Sequence, residues 1–156
     1  MNLDALVAPL RANVVSGAAV VSRTAAEVVR RVAVRAQVDD IPGLRHQLGE
    51  LAVRILDAQP SMAPLAALLG SAIVAVEGAD DLDDARRRVA RAAETFRGDM
   101  EKEAERAGRH AADLLDPGAA VMTLSDSSTV RAALRHAATR GDLSVVCLEG
   151  RPLKEG

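Results

Sequence analysis

A cluster of small polar residues follows a strand-like apolar segment near the end of the sequence. The segment covers residues 119–124, and Ser125, Asp126, Ser127 and Ser128 come directly after it, where a helical pattern begins. Hydroxyls and free backbone N–H groups at the N-terminus of a helix are well placed to bind an anion such as phosphate. The same pattern also fits a plain helix cap formed by Ser127 or Ser128, so the residues alone leave both interpretations open.

A second apolar segment, residues 143–148, precedes Glu149 and Arg151. If both apolar segments are parallel strands, their carboxyl ends lie at one edge of the sheet and Arg151 comes near Ser125. A guanidinium group binds phosphate through two parallel hydrogen bonds, and Glu149 could orient it or accept a ribose hydroxyl. The segment lacks the pattern G-x-G-x-x-G, so a standard dinucleotide site is not supported.

The residues before position 116 must form the scaffold, and apolar residues recur there three and four positions apart, as in amphipathic helices. Two helices are predicted over residues 3–36, and two more before residue 80. The predicted boundaries are a break near Gly17, a cap at Asp39 or Asp40, an end near Ala58, a cap at Ser61 and an end at Gly78.

Four aspartates in residues 80–84 stand at the start of the longest helical pattern. Carboxylates in such a cluster could bind a divalent metal, but they also cap a helix and interact favourably with its dipole, and we predict the cap and no metal site. The apolar positions that follow Leu82 at intervals of three and four residues are Ala85, Val89, Ala92, Phe96, Met100, Ala104, Ala107, Ala111 and Leu114. This spacing predicts an amphipathic helix of about 50 Å with an alanine-rich seam suited to helix association.

Composition excludes several classes of function. The formal net charge is −2, which gives no electrostatic basis for a nucleic-acid partner. Phe96 is the single aromatic residue, so a base-stacking platform is excluded. No apolar segment reaches the roughly 20 residues of a membrane helix. We therefore expect a cytoplasmic protein with no membrane partner, and no motif calls for a cofactor.

The single cysteine, Cys147, excludes a disulfide framework and a cysteine-based zinc site. Because it lies in an apolar segment, we predict a buried small hydrophobic residue and not a nucleophile. His46, His110 and His136 fall on three different predicted helices without metal-like spacing, so each is predicted at the surface.

The serine cluster and the residues around Arg151 resemble two motifs of the translation initiation factor 2B alpha/beta/delta family. Members carry a strand and loop of the type I-L-T-H-S-x-S, which residues 121–130 resemble. A second motif of the type E-S-R-P-x-x-x-G is similar to residues 148–156. Two weaker similarities lie at residues 16–19 and 59–63, so four motifs in the family's order cover nearly the whole chain.

This resemblance implies an α/β fold class, with an all-α helical domain over residues 1–115 and the start of a Rossmann-like parallel sheet over residues 116–156. Family members continue well beyond the second motif, so it also implies that the chain is an N-terminal fragment. They assemble as dimers or higher oligomers, which implies a homo-oligomer. Members include regulatory subunits of a guanine-nucleotide exchange factor, and isomerases of methylthioribose 1-phosphate or ribose 1,5-bisphosphate.

The sequence departs from the isomerase members at three points. Ser125 occupies the position of their catalytic cysteine, their partner aspartate lies beyond Gly156, and Gln59 replaces an arginine implicated in phosphate binding. A hydroxyl is a far weaker acid than a thiol, so Ser125 cannot simply inherit the role of the cysteine.

The resemblance therefore implies a non-catalytic, regulatory protein that binds a phosphorylated sugar or nucleotide, and the alternative is an aldose–ketose isomerase of a ribose phosphate. The residues expected to hold the ligand are Gly17, Ser125, Asp126, Ser127 and Arg151.

Overall fold

The computed structural model describes residues 1–14, 16–124 and 127–149. The elements in chain order are α1 (Leu3–Ala12), α2 (Ala18–Arg35), α3 (Ile41–Ala58), α4 (Ala63–Ala75), α5 (Leu82–Asp113), β1 (Ala120–Leu124), α6 (Ser128–Ala138) and β2 (Ser144–Leu148). Helices followed by parallel strands agree with the α/β fold class predicted from the sequence.

The chain divides into two compact units, residues 1–98 and 99–156. The domains expected from the sequence, residues 1–115 and 116–156, stay a prediction.

Helices α1 to α4 and the first turns of α5 enclose an aliphatic core in the first unit. The large side chains that are fully buried there are Val7, Leu10, Val21, Val29, Val32, Leu44, Leu48, Leu51, Ile55, Leu65, Leu68 and Val89. Burial therefore stabilises the valine-rich α2, because valine itself is only a moderate helix former.

The predicted break between α1 and α2 and the end of α3 at Ala58 are confirmed. Asp40 is the residue that caps α3, since its side chain accepts the N–H of Gly43 at 2.8 Å. A carboxylate at this position also interacts favourably with the positive end of the helix dipole.

The predicted cap of α4 at Ser61 is wrong. Helix α4 begins at Ala63, Met62 occupies the N-cap position, and no side chain caps the helix. The N–H of Met62 donates to the carbonyl of Gln59 at 3.2 Å, so Ser61 lies inside a tight turn and not at the helix start. At the other end the helix stops at Ala75, and Gly78 closes the following turn with φ of 71°, a conformation that favours glycine.

The aspartate cluster caps α5. Asp81 Oδ1 accepts the N–H of Asp84 at 2.7 Å, and Asp84 Oδ2 in turn accepts the N–H of Asp80 at 3.4 Å. The first of these bonds satisfies an N–H group that the helix start leaves without a partner, and the second holds the residue that precedes the capping Asp81. Within the described residues, no group of three or more His, Cys, Asp or Glu side chains is arranged to hold a metal ion.

The buried seam of α5 differs from the predicted one. Ala93 and Ala112 are buried where Ala92 and Ala111 were predicted, and Leu114 is exposed. The buried positions Ala85, Val89 and Ala93 lie four apart, so they follow one i±4 ridge of the helix surface rather than an alternation of three and four.

Arg86, near the start of α5, satisfies the C-terminal end of α2. Its two terminal nitrogens donate to the carbonyls of Ala33 at 3.0 Å and Ala36 at 2.7 Å. Weaker bonds reach the carbonyls of Val34 and Val38. The last carbonyls of a helix have no intrahelical donors, so this cation also interacts favourably with the helix dipole.

Candidate functional site

The two strands pair in parallel, with Ala120 opposite Ser144 and Leu124 opposite Leu148. Neighbouring strands lie about 4.8 Å apart, so the segments that leave Leu124 and Leu148 start side by side at one edge of the sheet. The predicted convergence of the two carboxyl ends is therefore correct. Open α/β sheets bind ligands at this kind of edge.

Backbone hydrogen bonds also join the two chain segments where the strands begin. The N–H of Gly118 donates to the carbonyl of Asp142 at 2.8 Å, and the N–H of Ser144 donates to that of Ala119 at 3.1 Å. Gly118 has φ of 80°, a left-handed conformation that lets the chain turn from α5 into β1.

Ser127 is the N-cap of α6. Its hydroxyl accepts the N–H of Val130 at 3.4 Å, so the helix-cap interpretation is confirmed for this residue. The cap satisfies one of the four N–H groups that the start of a helix leaves without intrahelical partners. The positive end of the helix dipole also lies at this N-terminus.

Of the other residues predicted to hold a ligand, Ser125, Asp126 and Arg151 lie outside the described residues. Gly17 is the exposed N-cap of α2, with extended backbone angles and no side chain to cap the helix. Gly17 belongs to the first compact unit and Ser127 to the second. Glu149 follows β2 directly and is exposed.

Close packing between α5 and α6 positions the cap at Ser127. A Cβ atom placed on Gly108 would lie 2.5 Å from the Cβ of Ala132, so the two helices touch at a point that only glycine fits. Ala112, Ala132, Ala133 and Ala137 are buried around this contact. Small side chains allow the two helix backbones to approach closely.

Polar contacts join the same two helices. Glu105 accepts hydrogen bonds from His136 at 2.7 Å and from Arg135 at 2.7 and 3.0 Å. The hydrogen bond from His136, followed by that from Arg135, lowers the pKa of Glu105. His46 and His110 are exposed as predicted, whereas the His136 side chain is only 29% exposed. No spacing rule in the sequence links residues 105 and 136, which are brought together by the helix crossing.

The prediction of a buried Cys147 is wrong, because its side chain is exposed. Every residue of β2 is exposed, and Met122 and Leu124 of β1 are also exposed. A strand is buried on both faces only when further elements cover the sheet, and an apolar sequence alone does not supply that cover.

A groove runs along the exposed side of α2 and is lined by Glu27, Arg30, Arg31, Val34 and Arg35. Arg30 and Arg31 each donate through Nε to the carboxylate of Glu27 at 2.8 Å. These hydrogen bonds, the one from Arg30 first, lower the pKa of Glu27 to about 2. Gly17 and Ser127, the two predicted ligand residues that the structure describes, are not among the residues that line this groove.

The Initiation factor 2 subunit family matches residues 14–156. The chain belongs to this family. A comparison with curated proteins gave no match. The described helices are also too short or too polar to cross a membrane.

Solved structures of translation initiation factors share the fold. The Pyrococcus horikoshii OT3 translation initiation factor eIF-2B matches with 26% identity and a TM-score of 0.80, over 99% of this chain and 52% of that chain. The delta subunit of eIF-2B from A. fulgidus matches with 20% identity and a TM-score of 0.77, over 99% and 48%. The tetrameric eIF2B-beta2-delta2 complex from C. thermophilum matches with 19% identity and a TM-score of 0.76, over 93% and 48%. This chain therefore spans about half the length of these relatives.

Proposed function

We propose that this member of the initiation factor 2 subunit family is a non-catalytic, regulatory protein that binds a phosphorylated sugar or nucleotide. The observation that carries the proposal is the parallel register that sets Leu124 opposite Leu148. The two strands therefore end side by side at Leu124 and Leu148, and the serine segment and the segment of Arg151 follow these two residues in the sequence. A guanidinium group, hydroxyls and helix N–H groups together suit a phosphate group.

The proposed ligand residues are Gly17, Ser125, Asp126, Ser127 and Arg151. Arg151 would supply the charge, and the serine hydroxyls would supply neutral hydrogen bonds to phosphate oxygens or to a sugar. Ser125 in place of a thiol supports binding without turnover, because a hydroxyl is scarcely ionised near neutral pH.

Titration calorimetry of the full chain with nucleoside monophosphates and pentose phosphates tests this proposal. We expect binding to at least one of these ligands, and we expect Arg151→Ala to weaken it by about tenfold or more, since a hydrogen bond to a charged group contributes about 1.5–3 kcal/mol. Arg109→Ala removes an exposed arginine of α5 and serves as the matched control for net charge. Absence of heat with every ligand, or equal affinity in the two variants, would contradict the proposal.

Turnover separates this function from an isomerase. We expect no conversion of ribose 1,5-bisphosphate or methylthioribose 1-phosphate by the chain. Conversion that Ser125→Ala abolishes would replace the regulatory assignment with aldose–ketose isomerisation.

We also propose a homo-oligomer. The exposed apolar residues of β1 and β2 support it, because uncovered strands tend to pair with a further chain. The fold is shared with a relative described as a tetrameric complex. Light scattering coupled to size exclusion should give a mass above one chain, and a monodisperse monomer would refute the proposal.

A further inference from the structure

Gln59 connects the turn between α3 and α4 to the end of α1. Its side-chain nitrogen Nε2 donates to the carbonyl of Leu10 at 2.6 Å and to that of Asn13 at 2.9 Å. Both backbone polar groups of Gln59 are hydrogen-bonded, since its N–H donates to the carbonyl of Ile55 and its carbonyl accepts the N–H of Met62. An amide NH₂ group has two hydrogens, so both are used in these two bonds and neither is left for a ligand.

Asn13 extends this connection towards α2. Its side-chain oxygen Oδ1 accepts the N–H of Ser16 at 2.9 Å, and Ser16 precedes Gly17, the N-cap of α2. A continuous series of hydrogen bonds therefore leads from Gln59 through Asn13 to the start of α2. Gln59, Asn13 and Ser16 are all half-buried, which limits the competition from water.

We infer that Gln59 is the positioning residue for the N-terminal end of α2. It acts through its hydrogen bonds to the backbone of Leu10 and Asn13 and through the bond between Asn13 and Ser16, and it does not contact the ligand through its amide hydrogens. The consequence for ligand binding rests on the proposed function, in which Gly17 and the adjacent uncapped N–H groups take part in binding phosphate. If a ligand binds only when these N–H groups have one particular arrangement, its apparent affinity is proportional to the fraction of protein molecules that have this arrangement.

Gln59→Met tests the inference, because methionine has nearly the same length, no charge and no N–H donor. Arg86→Met is the matched control, since it removes the side chain that satisfies the opposite end of the same helix. In hydrogen–deuterium exchange, the amide of Ser16 should exchange about tenfold faster in Gln59→Met, in keeping with the loss of two neutral hydrogen bonds. In Arg86→Met the exchange of Ser16 should stay as in the wild type. Unchanged exchange at Ser16 in Gln59→Met would overturn the inference.

Affinity gives the functional readout, measured with inorganic phosphate, ribose 5-phosphate and AMP. In Gln59→Met the Kd of whichever probe binds should rise by about tenfold, because a smaller fraction of molecules has the start of α2 in the binding arrangement. In Arg86→Met the Kd should stay unchanged. Equal losses in both variants would show that general destabilisation is responsible and would overturn the positioning role. If the wild-type chain binds none of the probes, the proposed function fails, and the exchange of Ser16 alone decides whether Gln59 positions α2.

Discussion

The contact between α5 and α6 predicts opposite effects of one substitution at two places on the same helix. A Cβ on Gly108 would lie 2.5 Å from the Cβ of Ala132, and 3.0 Å from two backbone atoms, the carbonyl carbon of Ala132 and the nitrogen of Ala133. Ordinary contact begins at 3.4 Å, so the shortfall at the closest atom is about 0.9 Å. Because all of these atoms belong to the backbone or to a Cβ, no side-chain rotation relieves the clash and the helices must move apart.

We expect Gly108→Ala to destabilise the packing of α6 on α5 by about 1–2 kcal/mol. Overpacking costs about 1–3 kcal/mol, with backbone clashes near the upper end, and the better helix propensity of alanine offsets about 1 kcal/mol. Gly98→Ala is the control, because Gly98 is also in α5 and no heavy atom lies within 4 Å of its Cβ position. At Gly98 only the better helix propensity of alanine acts, so we expect Gly98→Ala to stabilise α5 by about 0.5–1 kcal/mol.

Hydrogen exchange of the α6 amides is the assay of choice, since the chain has two compact units and a single unfolding transition is not assured. Gly108→Ala should accelerate exchange in α6 by about tenfold, at 1.4 kcal/mol per factor of ten. Gly98→Ala should leave exchange there unchanged or slow it. If the α6 amides exchange as slowly in Gly108→Ala as in Gly98→Ala, the close contact between α5 and α6 is incorrect.

Four further outcomes follow from single side chains. Arg86→Met should lower the stability of the first unit by about 1–3 kcal/mol in urea unfolding, because the last carbonyls of α2 lose a charged donor; an unchanged midpoint would contradict that. Asp40→Ala should cost about 1 kcal/mol through the lost cap of α3, whereas Asp40→Asn should cost little. Glu27 has its pKa lowered from 4.5 to about 2, so its contribution to stability is complete above pH 4.5 and is lost as the pH falls towards 2; Glu27→Gln should flatten that part of the stability profile. At dilutions where light scattering gives the mass of one chain, Cys147 should react with a thiol reagent at nearly the rate of an unfolded control, because its side chain is exposed; its protection should rise as the proposed oligomer forms, and strong protection in the single chain would contradict the exposure.

Local chemistry explains the parts of the structure that the sequence predicted well. A capping aspartate at residue 40, a proline after the end of α3 and apolar residues at helical spacing act over a few residues, so they can be identified without the fold. The parallel pair of β1 and β2 around α6 follows from the same kind of signal, since a strand, helix and strand in succession favour a right-handed parallel crossover. The family motifs add the serine segment and Arg151, whose ligand-binding role is still a proposal.

The predictions that failed depended on neighbours distant in the sequence. Cys147 lies in an apolar segment, but whether an apolar strand is buried depends on what covers its sheet. Ser61 has a good capping side chain, but the turn closed by Met62 and Gln59 displaces it from the helix start.

The sequence by itself determined where most helices and strands begin and end, because caps, prolines and hydrophobic spacing act within one or two turns. Only the tertiary structure decided that Gln59 satisfies the end of α1, that Arg86 satisfies the end of α2, and that Glu105 meets His136. Long polar side chains can reach many acceptors, and the packing of the helices selects one partner among them. The same packing explains Gly108, whose requirement for glycine arises from the Cβ of Ala132 and the backbone of α6 and not from its own helix.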